Sequence, residues 1–140
     1  MSDASIKSLD DLQKFVDVVL SNLGHKHLLL LSGGMGAGKT EFVRAIGRTL
    51  GIDNVSSPTY AIHQRYSSRR GFVDHVDLYR LTDAQDLESS GFWDLFLADS
   101  GLIVVEWADR LDLSVWPTDW PRTSIEIKLE SDGSRSITFL

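Results

Sequence analysis

The sequence has no cysteine, which excludes disulfides and thiolate metal sites and fits a reducing compartment. It also lacks any apolar run near the ~20 residues that a membrane-spanning helix requires, so no membrane association is expected. The opening MSDASIKSLDDLQ has no basic segment followed by a long apolar one, and no secretory signal is expected there. Internal repeats and low-complexity segments are missing as well. What remains is the balance of a globular protein, 42% hydrophobic and 24% charged over 140 residues. A single domain over residues 1–140 accounts for it.

Acidic residues are scarce in the first half. Residues 1–70 carry nine Lys/Arg against six Asp/Glu, a balance of +3, and residues 71–140 carry five against fourteen, a balance of −9; together they give the net charge of −6. This distribution does not describe a general nucleic-acid binder. It does allow a basic side and an acidic side.

The spacing of apolar residues predicts an α/β fold. Ser8 and Asp11 form a capping box for a helix over 9–22, whose Leu12, Phe15, Val16, Val19 and Leu23 recur at helical intervals. Residues 28–32 are a short apolar run of the kind a buried strand shows, and a second helix begins near Lys39 with Gly51 as its stop. Alternation over Tyr60–Tyr66 and Phe72–Tyr79 predicts two antiparallel strands joined by the polar turn at 67–71. Thr82 with Gln85 caps a helix reaching about Phe96, interrupted at Gly91. Leu102–Val105 reads as another buried strand, the Trp116-Pro117 and Trp120-Pro121 pairs as a rigid non-helical connection, and the end of the chain as a hairpin turning at Asp132-Gly133.

Between the strand at 28–32 and the helix at Lys39 lies the run GGMGAGKT. Gly33, Gly34, Met35, Gly36, Ala37, Gly38, Lys39 and Thr40 match G-x-x-x-x-G-K-T without a gap, and Glu41 follows. This is the phosphate-binding loop of nucleoside triphosphatases. Its glycines let successive N–H groups curve around phosphate oxygens, and the helix N-terminus adds positive potential. Lys39 is placed to reach the β- and γ-phosphates of ATP and Thr40 to hold Mg²⁺. The guanine-reading Asn/Thr-Lys-x-Asp pattern is absent, which favours ATP or loose base selectivity.

A triphosphatase also needs an acid for the metal or its water. Glu106 ends the Leu102–Val105 strand, where a carboxylate points into the crevice of an open sheet, and Asp77 lies in the HVDLYR run. Sequence alone does not divide the roles of metal ligand and water-positioning base between them. Tyr60, Tyr79 and Trp107 are candidates for stacking on a base, although strand aromatics usually pack. His25, His63 and His75 come from separate elements with no ligand spacing and are not read as a metal set.

The succession GAGKT, SPTY, HVDLYRL, DLESSG and VEWADRL, at 36–40, 57–60, 75–81, 86–91 and 105–111, resembles the TsaE family, formerly called YjeE. These are small bacterial ATPases of tRNA threonylcarbamoyladenosine synthesis. The resemblance spans about residues 8–140. It implies a P-loop nucleotide-binding domain with a mixed central sheet, antiparallel strand additions and flanking helices, in a cytoplasmic protein that binds ATP and Mg²⁺. It further implies association with a TsaB–TsaD pair, which modifies the adenosine beside the anticodon, with weak ATP hydrolysis alone and more in the complex. That hydrolysis resets the complex between rounds, and tRNA is met through the complex. Carried onto this chain, Lys39 and Thr40 serve phosphate and Mg²⁺, and Thr59 lies in a switch-like loop. Asp77 and Glu106 are the acidic site residues, and Trp107 lies near the nucleotide. The chain departs from the family where Gly34 replaces Asp or Asn and Glu41 replaces Thr or Ser. Two other readings compete: a small kinase acting on a nucleotide or metabolite, and a subunit that binds ATP without hydrolysing it.

Overall fold

The computed structural model describes residues 2–53, 55, 63–79 and 84–140. Seven strands form one mixed sheet: β1 (Ala4–Ile6), β2 (Lys26–Ser32), β3 (His63–Ser68), β4 (Gly71–Asp77), β5 (Gly101–Glu106), β6 (Arg122–Leu129) and β7 (Arg135–Phe139), in the order β1-β7-β6-β2-β5-β4-β3. The four central strands, β6, β2, β5 and β4, are mutually parallel, and the additions β7, β1 and β3 are antiparallel. The mixed sheet with antiparallel additions expected from sequence is therefore present.

Helices α1 (Leu9–Ser21) and α2 (Lys39–Leu50) cover one face of the sheet. Ser8 Oγ accepts the Asp11 N–H at 3.1 Å, as the capping box requires, but the Asp11 carboxylate takes the N–H of Lys7 rather than that of Ser8. Leu12, Val16 and Val19 of α1 and Phe42, Val43 and Ile46 of α2 are buried against alternate strand residues Leu29, Leu31, Val104 and Ile125. Gln13 links the helices, donating to the Ala45 carbonyl at 3.0 Å and to Thr49 Oγ1 at 2.7 Å.

The opposite face is covered differently. Helix α3 (Ala84–Ser89) ends before Gly91, whose φ of 79° starts a 3-10 turn at Phe92–Leu97. The interruption expected at Gly91 is thus real, while the Thr82 cap lies outside the described residues. Phe92, Phe96, Trp116 and Trp120 pack there on Leu28, Leu30, Ile103 and Val105. Phe92 and Trp116 meet edge-on at 5.9 Å, and the Trp120 indole donates to the Phe96 carbonyl at 3.0 Å. The prolines after Trp116 and Trp120 stiffen the connection, but the tryptophans themselves are core residues, only 2% exposed.

Strand β1 was not legible in the sequence. It is three residues long, too short for an alternation to register, and among the described residues it pairs only with β7.

Candidate functional site

The site lies at the carboxyl ends of the parallel strands, where chain connections diverge on either side of β2 and a crevice opens. Strand β2 ends one residue before Gly33. At Gly33 φ is 142°, and a Cβ would stand 2.3 Å from the Ile127 carbonyl oxygen. Only glycine permits that close passage under β6. The loop then rises to an exposed tip at Met35, buries Ala37 and enters α2 through Gly38. At Gly34 a Cβ would meet nothing within 4 Å, so space does not dictate glycine there.

Lys39 is the first residue of α2 and only 5% exposed. Its Nζ donates to the carbonyls of Gly33 and Gly34, each at 2.7 Å, and lies 3.9 Å from the centre of the Trp107 ring. The cation is thus held over the loop by main-chain dipoles and an aromatic face. Burial pushes the ammonium below its ordinary pKa, against the opposing pull of Glu106, Asp109 and Asp77.

Register places the acids. Leu31 pairs with Glu106, and Glu106 with Asp77, so the two carboxylates end adjacent strands in one row beside the loop. The Leu78 N–H closes this edge by donating to the Glu106 carbonyl at 3.1 Å. Glu106 is 2% exposed: its Oε1 accepts the Thr40 hydroxyl at 2.9 Å, and its Oε2 lies 2.5 Å from His75 Nε2. Burying a carboxylate is costly unless its lone pairs are met by donors, and here two side chains meet them. Asp77 is half-buried and accepts only the N–H of Tyr79, at 2.9 Å, among the described residues. Burial raises its pKa, the Tyr79 hydrogen bond opposes the rise, and the nearby Glu106 charge adds to it.

Trp107 has the one positive φ among described non-glycine residues, 58°. Such a conformation costs about 1–3 kcal/mol and persists only where the surroundings fix it. They do: Tyr79 lies 5.0 Å away ring to ring, Lys39 sits over one indole face, and the Arg110 guanidinium is 5.5 Å from the ring. A cleft of about 380 Å³ joins these groups, lined by Met35, Gly36, Gly38, Lys39, Thr40, Glu41, Arg44, Asp77, Tyr79, Glu106, Trp107 and Arg135.

Most sequence-selected residues therefore converge. Thr59 and Tyr60 lie outside the described residues. Two contributors were given no site role from sequence: His75, set aside there as a metal ligand, and Arg135. His75 is fully buried on β4 and holds Glu106; its place two residues before Asp77, on the same strand face, was the available signal. Arg135, on β7, reaches the loop carbonyls of Ala37 and Gly36 at 3.3 and 3.4 Å, a contact nearly one hundred positions long that nothing local announces. Glu41 forms an ion pair with Arg44 one turn along the helix, so its charge is partly compensated. Among the described residues no group of three or more His, Asp or Glu side chains is arranged to hold a metal ion. His63 instead pairs with Asp74 at 2.7 Å.

The loop curvature and its cation fit a polyphosphate. Thr40 Oγ1 and the Glu106 carboxylate, 2.9 Å apart, are hard oxygen donors of the kind Mg²⁺ accepts beside phosphate and water. Fold and site together define a small mixed α/β protein with a phosphate-loop sequence at the centre of its sheet.

Comparison with known proteins narrows this class. Residues 6–137 match the family model described as threonylcarbamoyl adenosine biosynthesis protein TsaE, and the chain belongs to that family. Similar proteins named tRNA threonylcarbamoyladenosine biosynthesis protein TsaE occur in Treponema pallidum and Aquifex aeolicus. The first is 30% identical over 94% of this chain and 95% of its own length, and the second 31% identical over 79% of each. The protein of that name from Haemophilus influenzae is 36% identical over 70% of this chain, and the match spans 63% of its length. Among solved structures, Bacillus subtilis YdiB superposes with a TM-score of 0.72 at 27% identity, covering 98% of this chain and 82% of that one.

Proposed function

We propose that this protein is a Mg²⁺-dependent ATPase serving the synthesis of threonylcarbamoyladenosine in tRNA, in the cytoplasm. In this reading its hydrolysis resets a TsaB–TsaD complex between rounds of modification. The observation that carries the proposal is the juxtaposition of Lys39, at the mouth of the loop, with Thr40 and Glu106, joined across 2.9 Å. A phosphate-loop sequence alone would bind an anion; the buried carboxylate opposite Thr40 adds what phosphoryl transfer needs.

Main-chain N–H groups of the loop and of the first turn of α2 would bind the polyphosphate. Lys39 exchanges its loop carbonyls for β- and γ-phosphate oxygens. Thr40 and Glu106 would hold Mg²⁺, which would neutralise charge on the phosphoryl oxygens. His75 fixes the Glu106 carboxylate by its Nε2 contact. Asp77, at the next strand end and with a raised pKa, orients the attacking water and accepts its proton. Trp107 and Tyr79 screen the Lys39 end from solvent. Weak activity alone follows from the half-open Asp77 side of the cleft, which a partner surface would close. The family relatives' names support the pathway.

ATP hydrolysis with Mg²⁺, measured alone and with the cognate TsaB–TsaD pair, tests the proposal. Turnover should rise with the pair and vanish in Lys39→Ala. Background turnover under every condition, with ATP still bound, would leave a nucleotide-gated binding subunit instead.

A further inference from the structure

Two cations hold the carbonyls of the phosphate loop, and only one of them belongs to its sequence. Lys39 Nζ takes the carbonyls of Gly33 and Gly34, each at 2.7 Å. Arg135 approaches from β7 and takes a later pair: its Nε and Nη2 donate to the Ala37 and Gly36 carbonyls at 3.3 and 3.4 Å. Resting on the phosphate reading above, we infer that Arg135 is a positioning residue for phosphate binding, which aims the Gly38 amide at the polyphosphate by fixing the two carbonyls that precede it.

Peptide geometry carries the argument. A trans peptide points its C=O and its N–H in opposite directions. Holding the Ala37 carbonyl toward β7 therefore aims the Gly38 N–H the other way. That way lies the β5 side of the loop: strand order puts β7 and β5 on opposite sides of β2, and Glu106 of β5 meets Thr40 there. Among the described residues the Gly38 N–H donates to nothing, which leaves it to an anion at the start of α2. The Ala37 N–H, by contrast, is already spent on the Gly34 carbonyl at 3.2 Å.

The loop needs such an anchor. Its two held peptides lie between Gly36, at a φ of 75°, and Gly38, at 113°, and peptides beside glycine reorient at little cost. Arg135 supplies the constraint from a rigid support. It opens β7 on the face that carries Ile137 and Phe139 toward the helices, and its Nη1 donates to the Gly133 carbonyl at 3.2 Å. Its Nε stands 3.9 Å from where a Cβ on Gly38 would be, so the guanidinium rests on the loop itself. Among the described residues it has no carboxylate partner. One edge of a guanidinium spans two neighbouring carbonyls, and an ammonium does not.

Calorimetry with Mg-tripolyphosphate, a probe that has no nucleoside, tests this in the intact wild type, Arg135→Lys, Arg135→Met and Lys39→Ala. Arg135→Lys keeps the charge and loses the fork. It should weaken tripolyphosphate and MgATP by the same factor, about fivefold, and Arg135→Met should weaken both about tenfold. Without ligand, Tm should stay within about 2 °C of wild type in both variants. In NMR, the Gly38 amide resonance of ligand-free Arg135→Lys should move, and its response to tripolyphosphate should shrink, while the Trp107 indole resonance stays in place; a purely structural role would not single out Gly38. Wild-type affinity for tripolyphosphate in Arg135→Lys, with a loss in Arg135→Met alone, would reduce Arg135 to its charge and overturn the inference. A loss for MgATP with none for tripolyphosphate would assign Arg135 to the nucleoside and overturn it equally, while the phosphate site stands. Tripolyphosphate bound as tightly by Lys39→Ala as by wild type would overturn the phosphate reading and this inference with it.

Discussion

The two halves of the site are made in opposite ways. The loop half is one contiguous stretch, Gly33 to Thr40, shaped by the backbone of its four glycines, with Lys39 and Thr40 adding side chains at its end. The strand-end half is side-chain chemistry assembled from residues far apart in sequence. His75 and Asp77 come from β4 and Glu106 from β5; register brings Asp77 level with Glu106, His75 reaches Glu106 from two positions back, and Glu106 is joined to Thr40 of α2. A contiguous half tolerates little change in backbone shape; an assembled half tolerates changes in shape but not in charge. Gly33 and Glu106 are the positions where this difference is sharpest.

Breaking the loop half should have the largest effect. Gly33→Ala forces a Cβ to within 2.3 Å of the Ile127 carbonyl at a φ of 142°, and we expect a loss of about 3 kcal/mol in urea denaturation with triphosphate binding abolished. Retention of both would show that the loop can move away from β6 at little cost. In the strand-end half, Glu106→Gln keeps size and removes charge. Turnover with the partner pair should fall about a hundredfold, with the fold unchanged by circular dichroism; a decrease below threefold would remove Glu106 from the chemistry.

Two further substitutions separate function from stability on the same strand. Asp74, on the other face of β4, is 4% exposed and bound by His63 at 2.7 Å and Arg65 at 2.8 Å. Burial raises its pKa, but those hydrogen bonds more than reverse the effect, and the net shift is downward. Its ionised form therefore adds stability that is present above the ordinary carboxylate range and lost as pH falls through the lowered pKa. Asp74→Asn should cost about 2 kcal/mol at pH 7, the difference from wild type shrinking in acid, with hydrolysis per folded molecule unchanged. A pH-independent difference would contradict the ionic origin.

Asp77 has the opposite sign. Its raised pKa means the folded state binds the proton more readily, so its ionised form costs stability above that pKa. Asp77→Asn should raise Tm slightly at pH 7, on the order of 1 °C, and not at all below the ordinary carboxylate range, while turnover falls. A Tm lower than wild type at pH 7 would reverse the assigned sign.

The same division explains what could be read from the sequence. The loop is local, so its eight residues, its preceding strand and its following helix were all legible, as was Gly51 as the helix stop. Glu106 was legible as a strand end and Asp77 as a residue within a strand reaching Tyr79, but their alignment at adjacent strand ends was not, because β4 stops at Asp77 and the alignment depends on the register of β4 on β5. Trp116 and Trp120 were read through their prolines, and their burial beneath Phe92 and Phe96 follows from tertiary packing that no periodicity expresses. Arg135 reaches the loop only because β6 and β7 return beside β2.

The central claim is that loop and strand ends form one MgATP site. Thermal unfolding with and without MgATP, in wild type, Lys39→Ala and Glu106→Gln, tests it most directly. Ligand at about one hundred times Kd stabilises by about 2.7 kcal/mol, so wild type should gain several degrees. Lys39→Ala should gain nothing, and Glu106→Gln should lose most of the Mg²⁺-dependent part. Equal gains in all three proteins, or none in wild type, would contradict the account.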